Sequence, residues 1–134
     1  MGIKPFGPIN SGAAVGGDGA ATASATSNIR LTGEVLSVYV KYNHSPPAGT
    51  TDVIVSTQGA APAPPAIAFL TLTDAATDGY FRPRAPLHSL AGVALTYDGT
   101  EPIGTAVAID DFITVTIDDA NAADNVDVWL ILRC

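Results

Sequence analysis

From Arg30 onward, apolar and polar positions alternate in short runs separated by turn clusters. In "EVLSVYVKYN", Leu36, Val38, Val40 and Tyr42 fall on one face and Val35, Ser37, Tyr39 and Lys41 on the other. That two-residue period, rich in β-branched and aromatic residues, predicts a strand. "HSPPAG" ends it, because proline has no amide proton to give a ladder. "TTDVIVST" predicts a second strand, with Val53, Val55 and Thr57 opposite Asp52, Ile54 and Ser56. A Pro/Ala loop, "QGAAPAPP", leads to "AIAFLTLT", a third. "VALTY", closed by the turn signal Asp98-Gly99, and "TAVAI" predict a short strand and an edge strand. "DFITVTID" turns Ile113, Val115 and Ile117 inward. "VDVWLILR" puts Val126, Val128, Leu130 and Leu132 on one side and Asp127, Trp129, Ile131 and Arg133 on the other, so its second half reads as buried on both faces.

No window of about eleven residues keeps a helical apolar pattern. The expected fold is all-β: an antiparallel β-sandwich or barrel, jelly-roll or immunoglobulin-like, of about 6–8 short strands. Between the strands, "DAATDGYFRPRAPLHSLAG" is the longest non-periodic stretch, and loops of such length are usually functional.

The first 28 residues have a different texture. Within them "NSGAAVGGDGAATASATS" is nearly all Gly, Ala, Ser and Thr, and the large apolar side chains are Ile3, Phe6, Ile9 and Val15. Ordering backbone costs about 1–2 kcal/mol per residue, and burying one such side chain returns roughly 1.5–3 kcal/mol. On that balance residues 1–28 are expected to form a flexible or extended arm, ordered by assembly, beside a β domain of residues 29–134. "ATASATS" is also able to add an edge strand, to this chain or to another. Prolines and glycines break "MGIKPFGPINSG" too often for the apolar core of a signal peptide.

Composition narrows the partners. Hydrophobic residues make up 47% of the 134 and charged residues 14%, against about 25% in ordinary domains. Either the surface is shared with neighbours or it is dressed in Thr, Ser and Asp; both readings stand. The net charge of −7 and six scattered basic residues disfavour nucleic acid and anionic membrane surfaces. Cys134 is the single cysteine, so no internal disulfide is possible.

Candidate chemistry is sparse. His44 and His88 lie in proline-containing loops and precede Ser45 and Ser89, but sequence neighbours do not make a triad without an orienting acid. Neither histidine has a partner at metal-ligand spacing. Asp74, Asp78, Asp110, Asp111, Asp118, Asp119 and Asp124 read as turn formers and edge protection rather than a calcium loop. "VGGDG" lacks the Lys-Ser/Thr of a phosphate loop, and Asn43 opens a glycosylation triplet followed by proline. The expectation is no enzyme, no cofactor and no metal. Tyr80, Phe81, Tyr97 and Trp129 suit a sugar-binding platform or a subunit interface, with Trp129 in the core as the plainer alternative. "YFRPR" combines aromatics with arginines, the residue types that concentrate in interfaces. The expected interface is therefore Tyr80, Phe81, Arg82 and Arg84, joined by Phe6 and Ile9 of the arm.

Three stretches, "TGEVLSVYVKYNHSPPAGTTDVIVST", "TDGYFRPRAPLHSLAGVALTYDGTEPI" and "DDFITVTIDDANAADNVDVWLIL", together resemble small structural proteins of tailed bacteriophages, of the kind found near major capsid protein genes. The resemblance runs from about Thr32 to Leu132, is one of texture and phrase, and leaves residues 1–28 outside. It implies a virion component, above all a capsid decoration (cement) protein, assembled in the host bacterial cytoplasm and bound to the outer shell. The implied partners are the major capsid protein and further copies of the chain, a homotrimer favoured. A tail or head-fibre component, and a carbohydrate- or receptor-binding β-sandwich module, are the alternatives.

Overall fold

The computed structural model describes residues 2–43 and 48–134. Among them are ten strands and no helix: β1 (Ile3–Asn10), β2 (Ala21–Thr26), β3 (Leu31–Tyr42), β4 (Asp52–Thr57), β5 (Ala68–Leu72), β6 (Gly79–Phe81), β7 (Arg84–Pro86), β8 (Gly104–Asp111), β9 (Ile113–Ala120) and β10 (Val126–Arg133). The strands form two antiparallel sheets. One has the order β1-β10-β3-β8-β7, with β6 also paired to β3; the other has the order β2-β9-β4-β5. Of the expected all-β sandwich or barrel this is the sandwich, with ten strands where about 6–8 were expected.

The core lies where the two inner faces meet. Val35, Val38, Val40, Val128 and Leu130 come from the first sheet, and Val53, Val55, Ile113, Val115 and Ile117 from the second; all are fully buried. The alternation read from "TDVIVST", "DFITVTID" and "VDVWLILR" is the alternation observed. Trp129 and Ile131, on the outer face of β10, are only half-buried.

In β3 the register changes midway. Ile131 of β10 stands opposite Ser37 and Leu132 opposite Val35, so Leu36 is an extra residue, a bulge. Beyond it the faces exchange, and Val35, expected outside, is buried while Leu36 is not. The same position divides the partners of β3: Leu31–Val35 pair with β8, and Val38–Val40 pair with β6.

The extended arm is not what the structure shows. β1 pairs along β10 from Ile3↔Arg133 to Asn10↔Asp127, and β2 pairs along β9 from Ala21↔Ala120 to Thr26↔Thr114. The first residues thus supply an outermost strand to each sheet. Side-chain burial alone would not order them, since Ile3 and Val15 remain exposed. Backbone ladders, the small buried residues Ala14 and Ala21, and side-chain bonds from Ser11 and Ser27 do so.

Two further expectations change. The stretch expected as one long loop contains β6 and β7, while "VALTY" forms isolated bridges and no strand. β8 is not an edge strand: Val107–Asp111 pair with β3 and Gly104–Ala106 with β7. His44 and Ser45 lie outside the described residues.

Candidate functional site

Two surface features stand out, one fixed by strand pairing and the other by backbone hydrogen bonds around isolated bridges. The first is an aromatic row on the outer face of the larger sheet. Trp129 of β10 pairs opposite Tyr39 of β3, and Tyr39 opposite Tyr80 of β6, so the three rings line up across neighbouring strands. The ring centroids of Tyr39 and Tyr80 are 4.6 Å apart, and those of Tyr39 and Trp129 are 5.7 Å apart, with interplanar angles of 45° and 47°. These are tilted contacts within the favourable range for aromatic pairs. Pro5 and Ile131 complete a shallow cleft of about 280 Å³ with the three rings. Tyr80 is 69% exposed.

Gly7 makes the Trp129 end of the row possible. Its φ of +141° suits glycine, and a Cβ there would stand 2.8 Å from the Val128 carbonyl oxygen and 3.0 Å from Trp129 Cδ1. β1 can therefore run close beside the indole only because residue 7 has no side chain.

Two residues further along β10 on the same face, a polar row runs parallel to the aromatic one. Asp127 lies opposite Lys41 of β3 and Asn10 of β1. Asn10 Nδ2 donates to Asp127 Oδ1 (2.9 Å) and Asn125 Oδ1 (2.8 Å), and Asn43 Nδ2 donates to Asp127 Oδ2 (2.8 Å) and Asn125 Oδ1 (2.9 Å). The carboxylate and amides hold each other in place.

The second feature is a projection, residues 87–103, between β7 and β8. Its backbone is well bonded: Leu87 N–H donates to the Ile103 carbonyl (2.9 Å), Ile103 N–H to that of Leu95 (3.0 Å), and Leu95 N–H to that of Leu87 (2.8 Å). Asp98 Oδ1 accepts from the N–H groups of Thr100 (2.9 Å) and Glu101 (2.6 Å), fixing the distal turn. Those bonds hold the Asp98 carboxyl below the usual aspartate range. Its large apolar side chains, in contrast, are poorly covered: Leu90 is fully exposed, Val93 63% and Tyr97 74%, with Leu87 and Leu95 partly exposed.

The residues expected at an interface scatter. Ile9 is a core residue at 6% exposure and is not available to a partner in the folded chain. Phe6 and Phe81 are half-buried and pack against the core. Tyr80, Arg82 and Arg84 are exposed, and Arg84 Nη1 turns back to the carbonyl oxygen of Pro83 at 2.9 Å. Sequence reading missed Leu90, Val93 and Leu95, whose signal was an apolar alternation without a partner strand. It also missed Tyr39, placed with Val35, Ser37 and Lys41 on one face of its strand and given no role.

The acidic residues serve turns and backbone donors. Asp111 Oδ2 accepts from Gly59 N–H (2.8 Å) and its Oδ1 from Phe112 N–H (2.7 Å); Asp78 Oδ1 accepts from Tyr42 N–H (2.8 Å). Asp110 bonds Arg30 Nε (2.9 Å) and Thr32 Oγ1 (2.8 Å), and the guanidinium foremost holds its carboxyl below the usual range. Among the described residues, no three His, Cys, Asp or Glu side chains come together as a metal site. His88, bridged to Ala94 in the projection, is exposed.

Comparison with known protein families, curated proteins and solved structures returns no match for this chain.

Proposed function

We propose that this chain is a virion structural protein of a tailed bacteriophage, a decoration protein that binds the outer capsid shell as an oligomer, a trimer favoured, and ties neighbouring shell subunits together. The observation that carries the reading is the projection at residues 87–103, where a backbone locked by hydrogen bonds presents uncovered Leu90, Val93 and Tyr97. Large apolar side chains left uncovered on an ordered segment suit a contact with another protein. The sequence resemblance supplies the class of partner.

Magnitudes favour many weak contacts over one strong one. Burying those three side chains returns about 5–9 kcal/mol before costs. Association itself costs an estimated 4–15 kcal/mol, so one projection on one subunit holds weakly. Joining several copies makes later contacts intramolecular and the whole slow to dissociate. Closed symmetry gives each copy the same contact.

Light scattering of the free protein, followed by co-sedimentation with purified shells lacking it, tests the reading. Saturable binding at a fixed number of copies per shell is expected. A protein that stays in the supernatant at every concentration overturns it.

A further inference from the structure

We propose that the outer face of the larger sheet binds a neutral oligosaccharide along the Tyr80–Tyr39–Trp129 row, a role separate from shell attachment. Two rows on that face fit the two kinds of surface a sugar presents. Pyranose rings have apolar C–H faces that stack on aromatic side chains, and the three rings line one shallow cleft with Pro5 and Ile131.

Hydroxyl groups project from the edges of such a chain, and the polar row lies beside the rings to receive them. It is about 7 Å from the aromatic row, two residues along the strand. Each Asp127 oxygen accepts one amide bond and retains a second lone pair for a hydroxyl donor. The Asn125 side-chain amide donates to nothing among the described residues. Lys41 is exposed in the same row. The mutual bonds of Asn10, Asn43, Asn125 and Asp127 set these groups before any ligand arrives, which lowers the cost of binding.

Other occupants fit less well. A proline-rich peptide would stack on the rings but has few donors for Asp127. The apolar projection of a second copy would strip water from Asp127 and Lys41 without replacing it. Polyanions meet a chain of net charge −7.

Trp129 is the chain's single tryptophan and lies in the row, so its fluorescence reports occupancy directly. The full chain is titrated with cellohexaose and with chitohexaose, with a proline-rich peptide and dilution of the protein alone as controls. A saturable change with either hexasaccharide is expected. Tyr80→Ala should weaken it about tenfold or more and Tyr80→Phe little, as loss of one stacking ring implies. Tyr80 is exposed, and an unshifted melting transition will show that its variants fold. Lys41→Ala, on the other row, should weaken binding severalfold. No saturable change with either sugar, full affinity in Tyr80→Ala, or a response only to the peptide or to protein concentration overturns the proposal. Shell binding is read separately and does not depend on the outcome.

Discussion

Ser11 grips Val126 twice. Its N–H donates to the Val126 carbonyl at 3.0 Å, and its hydroxyl accepts from the Val126 N–H at 3.1 Å. Ser27 does the same to Ile113 in the other sheet, at 2.8 and 3.0 Å. Both serines are buried at the ends of the first two strands, where the chain leaves its ladder and a strand amide would otherwise lack an acceptor. Ser11→Ala and Ser27→Ala should each cost about 1–3 kcal/mol, the penalty of an unsatisfied buried donor. Denaturant unfolding measures it, and the double variant should lose nearly the sum, since the two sites share no partner.

Removal of residues 1–28 should do far more harm than loss of a loose arm. It takes away β1 and β2, uncovers the edges of β10 and β9, and opens the core beside Ala21 and Ile9. Loss of the cooperative thermal transition by circular dichroism is expected; a truncated chain that melts like the full one would show the leader to be peripheral.

How much of this was legible in the sequence depended on where the stabilising energy lies. The strands containing Val53, Ile113 and Val126 alternate without interruption, so their inward faces could be read directly. At Leu36 a single bulged residue exchanges the faces, and a bulge has no periodic signature. The leader was misjudged because the balance counted Ile3, Phe6, Ile9 and Val15 but no ladder hydrogen bonds, and because Ala14 and Ala21 fill the core with little apolar surface. The aromatic row was half legible. Tyr80 and Trp129 could be named, but Tyr39 joins them only through pairing across three strands that are far apart in sequence.

Gly7→Ala should push β1 away from the Trp129 indole, because the new methyl would meet the Val128 carbonyl oxygen at 2.8 Å on a strand backbone that cannot yield locally. A loss above about 1 kcal/mol is expected at such a position, together with a shift of Trp129 emission. The two readouts should move together.

Tyr42 is buried, and its hydroxyl has no hydrogen-bond partner among the described residues. Burial first, and the nearby Asp78 carboxylate second, push its pKa up from 10.0 to about 12. The unfolded chain therefore releases this proton before the folded one does. Stability linked to Tyr42 is full below pH 10 and falls as pH rises through about 12. Tyrosinate absorbance should show a late-titrating group that is absent in Tyr42→Phe. At neutral pH that variant should be as stable as the parent or slightly more so, because it removes an unpaired buried polar group.

The projection gives the sharpest separation of fold from function. Leu90, Val93 and Tyr97 contribute little to the core, so replacing them together with aspartate should leave the melting transition nearly unchanged, as surface substitutions usually do. Co-sedimentation of this triple variant beside the parent chain on purified shells is the most direct measurement. The expected result is a parent that saturates the shell and an equally folded variant that stays in the supernatant. A parent that fails to bind, or a variant that binds as fully as the parent, would contradict a role exercised through this surface.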